Sequence, residues 1–308
     1  MTTNSSEKEY DLLIIGGGPA GLTAAAYAVR KRLETMLIVE DLGGKTNYKF
    51  TLPDVETHLI IDGEELVSKF KSQIEYLDFA RHTGSVTKFQ RVGKQFIAKT
   101  SDRTFKSKAA IIATGGKPKR LKVPGEQEFF GRGVSYSTIS HAPIFIDMDV
   151  AVVGDGIPAL QAAAELALIA RKVNVIGVPN KLVSSALGKK IKDSGKAEFF
   201  TGYAVKEIRG DASPETVIVR SRTDEKEIPV RGVFIELGYI PNTALFSHLV
   251  KMNREGKIII DENNQTNVPG LFAAGDATDV NAHQVVIAIG EGAKAALNAY
   301  TYLLTLKG

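Results

Sequence analysis

The chain has 308 residues, 44% hydrophobic and 24% charged, with a net charge of +4 and no cysteine. That length accommodates about two ordinary globular domains, and the missing cysteines exclude disulfides, thiolate metal sites, iron–sulfur ligation and cysteine nucleophiles. The basic excess is small and forms no tail, so it suits an acidic partner or an anionic ligand better than nucleic acid.

MTTNSSEKE at the start is polar and lacks the apolar core of a signal peptide. No run of about 18 apolar residues is present, and a cytoplasmic protein is expected. DLLIIG (11–16) then reads as a strand, PAGLTAAAYAVRKR (19–32) as an alanine-rich helix with proline tolerated in its first turn, and TMLIVE (35–40) as a second strand. This is a βαβ unit, which requires a parallel sheet. A helix over 63–77, hairpin strands around 85–100 and AAIIATGG (109–116) follow. The βαβ layout then returns as a strand over 149–154, a helix over 158–171 and a strand over 172–177. Strands over 215–222, 232–237 and 257–261, the segment GLFAAGDAT (270–278) and a last helix over 283–304 complete the chain. GGKPKR (115–120) and GYIPNT (238–243) mix glycine and proline as crossovers between domains do. The expected fold class is α/β with two Rossmann-like dinucleotide-binding domains.

The first candidate site is GGGPAG, with Gly16, Gly18 and Gly21 at the G-x-G-x-x-G positions between a strand and a helix. Gly16 permits the tight turn, Gly18 lets backbone approach a pyrophosphate, and Gly21 lets helix pack on strand. The helix N-terminus favours phosphate charge, and Glu40, at the end of the second strand, can accept from ribose hydroxyls. The second is AAGDAT (273–278). Its Asp276 can hold a ribityl chain or pyrophosphate, and amides near Gln284–Val286 can face the flavin N1/O2 edge. The third is ATGG (113–116), poised to approach the same cofactor. Five histidines show no metal-ligand spacing, and no metal is expected.

These segments, with VPGE (123–126), GRGVSYS (131–137) and HQVVIAIGEGA (283–293), resemble the low-molecular-weight thioredoxin reductases over nearly the whole chain. The resemblance implies three-layer ββα domains, FAD in a discontinuous domain of 1–116 and 242–308, an NAD(P)-binding-like domain of 117–241, and a homodimer. It carries FAD contacts onto Gly16, Gly18, Pro19, Ala20, Gly21, Glu40, Asp41, Gly43, Gly44, Lys45, Ala113, Thr114, Gly115, Gly275, Asp276, His283, Gln284 and Val285.

The departures bear on function. Ser137 and Ser140 stand where the family keeps its redox cysteines, and His141 stands at its acidic residue. A serine hydroxyl forms no disulfide and is a poor nucleophile without an activating base, so dithiol exchange is impossible and His141 is the catalytic candidate. The second glycine loop reads Gly154, Asp155, Gly156 and Ala159, with a carboxylate where a pyrophosphate would sit. IGVPNKLVSS (176–185) has no arginine for a 2′-phosphate, only Lys181. This nicotinamide-site remnant leaves NADH, weak NADPH or no nicotinamide open. Lys45 takes the place of a family glutamine, and it and His58 are placed near the flavin. The expected function is a flavin oxidoreductase exchanging electrons with NAD(P)H or a small acidic redox protein such as ferredoxin or flavodoxin. The alternatives are a non-catalytic flavin-binding or regulatory protein and a Cys→Ser variant of a thioredoxin reductase.

Overall fold

The computed structural model describes residues 8–55, 62–280 and 282–306. In chain order the elements are β1 (Glu9–Ile15), α1 (Pro19–Arg30), β2 (Thr35–Val39), α2 (Gly63–Tyr76), β3 (Arg81–Thr83), β4 (Lys88–Val92), β5 (Gln95–Lys99), β6 (Thr104–Ile112) and β7 (Gly116–Pro118). There follow β8 (Val134–Ser135), α3 (Thr138–His141), β9 (Asp149–Val153), α4 (Ile157–Ile169), β10 (Lys172–Ile176), α5 (Asn180–Val183), α6 (Ala186–Asp193) and β11 (Ala197–Phe200). The last are β12 (Ala204–Gly210), β13 (Pro214–Arg220), β14 (Glu225–Pro229), β15 (Gly232–Ile235), β16 (Tyr239–Pro241), β17 (Leu271–Ala273) and α7 (Val285–Thr305).

The chain divides into two compact units. One comprises Met1–Asn47, Asp62–Lys117 and Ile240–Gly308, and the other Tyr48–Ile61 and Pro118–Tyr239. The expected boundaries kept 48–61 with the first unit. Phe50 and Leu52 instead join the apolar core of the second, where Phe50 meets Phe145 edge to face. Two large apolar side chains are buried by that placement, which outweighs sequence continuity.

The first unit is built on a seven-stranded sheet, in the order β3-β2-β1-β6-β5-β4 with β17 also on β6. β6 explains the branching. It pairs in parallel with β1 along one edge, while its other edge takes β5 antiparallel at Thr104–Ser107 and β17 parallel at Ala110–Ile112. The central strands are buried on both faces with a period of two. Leu12, Ile14, Leu37 and Val39 face the helical core with α1, α2 and α7. Leu13, Ile15, Met36 and Ile38 face a core shared with the β4–β5 hairpin. A parallel sheet covered on both faces gives such continuous apolar runs.

The second unit repeats this logic with a parallel sheet ordered β11-β10-β9-β15-β8 and a separate antiparallel sheet of β12, β13 and β14. Val150, Val152, Val173 and Val175 face α4, and Ala151, Val153 and Ile176 face the antiparallel sheet. The expected strand over 257–261 forms only single-residue bridges. Ile258 is fully buried but pairs with Met252 and with Thr278 one residue at a time. Its pattern signals burial rather than a ladder.

α1 and α7 cross closely enough that a Cβ on Gly292 would lie 2.1 Å from the Ala20 carbonyl oxygen. Gly292→Ala gains about 1 kcal/mol of helix propensity but forces two backbones apart. A net loss of about 2 kcal/mol is expected, measured as a lower urea midpoint; an unchanged or raised midpoint would show that the crossing is looser.

Candidate functional site

Three loops of the first unit meet at the N-terminus of α1. Gly16 (φ +114°) turns the chain out of β1, and a Cβ on it would lie 2.2 Å from the Ala113 carbonyl oxygen. Gly21 packs its helix so closely that a Cβ would fall 1.8 Å from the Gly16 carbonyl oxygen. Gly18, by contrast, has nothing within 4 Å of its Cβ position. Two glycines are therefore required by packing and one leaves bare backbone facing open space, as a pyrophosphate cradle requires.

The loop over 41–45 closes on this turn. The Gly43 amide donates to the Gly17 carbonyl at 2.8 Å, and the Gly44 amide to Asp41 Oδ1 at 3.0 Å. Glu40, at the end of β2, accepts from Ser85 Oγ at 2.7 Å, which fixes the ribose-acceptor candidate. The Ala274 amide donates to the Ile112 carbonyl, so Gly275 and Asp276 continue from the edge of the same sheet. There Lys45 Nζ forms an ion pair with Asp276 Oδ2. Gln284 holds the N-cap position of α7 without a side-chain capping bond, and the preceding His283 has its pKa lowered by burial.

Sequence reasoning missed two asparagines. Asn242 clamps the ATGG loop: its Nδ2 donates to the Thr114 carbonyl, its amide to Gly115, and its own carbonyl accepts from Thr114 Oγ1 at 2.7 Å. Its setting in GYIPNT reads as a linker, so no sequence signal marks it. Asn264, fully buried, bonds to both polar atoms of the Ala273 backbone and to Glu291. The proposed contacts Gly16 to Gly21, Glu40 to Lys45, Ala113 to Gly115, and Gly275 and Asp276 all lie on these loops. His58 falls outside the described residues.

The second unit holds the serine pair. Ser137 Oγ donates to Ser140 Oγ at 2.8 Å. Ser135, 1% exposed, lies 2.7 Å from His141 Nδ1 and accepts the Ser137 amide at 3.0 Å. The His141 ring stacks on Phe50 at 4.1 Å and 16°. Burial drives its pKa down to about 4, so the imidazole is neutral at pH 7. At Thr138, the first residue of α3, Oγ1 donates to Glu236 Oε1 at 2.7 Å, and burial raises the pKa of that carboxyl. In the second glycine loop a Cβ on Gly154 would lie 2.5 Å from the Glu236 carbonyl oxygen, so the turn keeps its tight packing. Asp155 is exposed at its tip. Among the described residues no group of acidic or histidine side chains could hold a metal, and no helix is long and apolar enough to cross a membrane.

Residues 10–292 match the family model for pyridine nucleotide-disulphide oxidoreductases. The chain is 34% identical over 306 residues to the NADH dehydrogenase of Bacillus subtilis, covering 97% of this chain and 60% of that protein. It is 33% identical over 312 residues to an alkyl hydroperoxide reductase component of Staphylococcus aureus, covering 98% and 62%. It thus spans about 60% of the length of these curated relatives. Among solved structures it is similar to thioredoxin reductase from Streptococcus pyogenes, with a TM-score of 0.85, 34% identity, and coverage of 97% of this chain and 100% of that one.

Because the fold holds His141 neutral, the unfolded chain binds this proton first as pH falls. The contribution is complete above the ordinary histidine pKa of 6.5, declines between pH 6.5 and about 4, and changes no further below that. About 3 kcal/mol is at stake. His141→Gln is expected to lose less stability than the wild type between pH 7.5 and 4.5, read from urea midpoints; equal losses would place the acid sensitivity elsewhere.

Proposed function

The chain belongs to the pyridine nucleotide-disulphide oxidoreductase family, and we propose that it is an FAD-dependent redox enzyme working without dithiol exchange. Its electrons pass between FAD and a weakly held NAD(P)H, or a small acidic redox protein such as ferredoxin or flavodoxin. The observation that carries this reading is the hydrogen-bonded pair of hydroxyls, Ser137 and Ser140, at the family's redox-cysteine positions.

The first unit fits FAD on its own geometry. Gly18 and Gly115 both leave open space at their Cβ positions, the α1 N-terminus points amides at that space, and Glu40 stands at the end of β2 for a ribose. When bound, FAD supplies the reversible two-electron chemistry. The residues of this chain bind its phosphates, fix its ribose and set the charge around it. The second unit supports only weak nicotinamide binding, because Asp155 projects a carboxylate from an otherwise well-formed phosphate loop. Lys181, Lys189, Lys190 and Lys192 are exposed within a short segment, with Asp193 the one acid among them. That local basic excess favours an acidic protein partner. A homodimer belongs to the same reading. The second reading, a non-catalytic flavin-binding protein, is favoured by Asp155 and by the lack of arginine in 176–185.

Anaerobic mixing of the yellow protein with NADH, NADPH and reduced ferredoxin tests both. Bleaching by at least one donor is expected, and no bleaching by any of them would favour the non-catalytic reading. Asp155→Asn is expected to tighten nicotinamide binding about fivefold, which corresponds to roughly 1 kcal/mol for one carboxylate in a partly solvated loop.

Since the two hydroxyl oxygens are 2.8 Å apart, a Ser137→Cys/Ser140→Cys protein is expected to form an internal disulfide on mild oxidation. Titration would then find no free thiols. Two persistent thiols would mean that the segment no longer holds the geometry of a redox pair.

A further inference from the structure

The ion pair between Lys45 and Asp276 bears on the cofactor itself. Lys45 lies in the 3-10 turn Gly44–Asn47, and Asp276 lies 231 positions further along the chain. Each is fixed by backbone that belongs to the FAD cradle. A Cβ on Gly44 (φ +57°) would lie 3.1 Å from Gly18 Cα, so Lys45 leaves directly from the phosphate turn. A Cβ on Gly275 (φ +71°) would lie 3.1 Å from the Ala20 Cβ in the first turn of α1. The Asp276 side chain is 12% exposed and that of Lys45 36%. A carboxylate so enclosed, next to a site for a diphosphate, is unfavourable unless a cation accompanies it.

The neighbouring groups narrow down which cation that is. Burial keeps His283 below its ordinary pKa, with Asp276 and Glu255 raising it and Lys257 and Lys45 lowering it. Lys257 is held 3.1 Å from Glu255. Among the described residues, Lys45 makes the ion pair with Asp276.

We propose that Lys45 is a positioning residue that sets the redox balance of bound FAD, cancelling the Asp276 charge and favouring the more negatively charged reduced cofactor. This rests on the FAD reading above. Reduced FAD carries negative charge that oxidised FAD lacks, so a fixed cation nearby stabilises the reduced form and a fixed anion the oxidised form. With the pair intact the two effects largely cancel, and α7 supplies the remaining positive potential from its N-terminus.

The test is the midpoint potential of the purified holoprotein, read by dye-linked spectral titration, with FAD affinity measured separately on the apoprotein by fluorescence. Lys45→Met is expected to weaken the preference for reduced over oxidised FAD about tenfold, a fall of about 30 mV for a two-electron couple. Lys45→Arg is expected to keep the wild-type potential, and Asp276→Asn to raise it. Lys45→Met/Asp276→Asn removes both charges and is expected to return most of the way to wild type. An unchanged potential in Lys45→Met, or an equal fall in Lys45→Arg, overturns the proposal. If Lys45→Met does not retain FAD, retention by Lys45→Arg and by the double variant supports charge compensation, and loss from all three overturns it. A wild-type protein that cannot take up FAD refutes the FAD reading and this proposal together. A yellow wild type whose potential ignores Lys45 refutes only the proposal.

Discussion

The contact on which the first unit depends is the approach of α1 to the turn after β1, where no side chain fits between Gly21 and the Gly16 carbonyl oxygen. A Cβ at Gly21 would drive helix and strand apart by more than an ångström, and one at Gly16 would strike the Ala113 carbonyl oxygen just past the end of β6. The approach fixes where the α1 amides point and leaves the Gly18 backbone bare. It also sets the surface on which the 41–45 and 275–278 loops close, through Gly44 against Gly18 and Gly275 against Ala20. In the proposed FAD site the anion cradle is thus a product of backbone packing, with side chains such as Glu40, Lys45 and Asp276 added around it. Rigid elements holding the loops that carry chemistry is the usual division of labour in doubly wound folds.

The second unit keeps the packing of such a glycine loop while carrying a carboxylate at its exposed tip. Gly154 and Ala159 keep the close turn, because a Cβ on Gly154 would strike both the Glu236 carbonyl oxygen and the Ala159 Cβ. That requirement comes from packing the sheet core, whether or not a nucleotide binds. Asp155, which touches none of this packing, is free to differ. Retention of a glycine loop therefore testifies to the fold, and the residue at its exposed tip testifies to the ligand.

The fold was legible because both parallel sheets are buried on two faces, and their strands read as unbroken apolar runs next to alanine-rich helices. The glycine loops were legible because only glycine satisfies those approaches. The 257–261 segment was misread as a strand because burial and ladder formation give the same apolar pattern. The role of 48–55 was hidden because its apolar residues, Phe50 and Leu52, find partners far away in sequence, Phe145 and His141. Asn242 and Asn264 were invisible for a related reason. A side-chain amide that satisfies backbone groups, exposed at Asn242 and buried at Asn264, has no periodicity and no motif, and only the folded chain reveals which carbonyls it reaches.

The surroundings of the serines weigh against reading them as two isolated substitutions for cysteine. A simple exchange of sulfur for oxygen would leave the neighbouring residues suited to a thiol. Here Ser135, almost fully buried, bonds both the Ser137 amide and the His141 ring, and Phe50 stacks on that ring. His141, where the family has an acid, is kept neutral by this enclosure. A buried polar set of this kind is stable only when its members satisfy one another, since each unpaired group costs about 1–3 kcal/mol. The hydroxyl pair, the neutral imidazole and its aromatic neighbour therefore form one compatible group. In the other unit, Lys45 where the family has glutamine and its partner Asp276 form a second such group. Compatibility at two separate places is what a chain adapted to flavin chemistry without a dithiol would be expected to contain, and replacing two cysteines would account for neither.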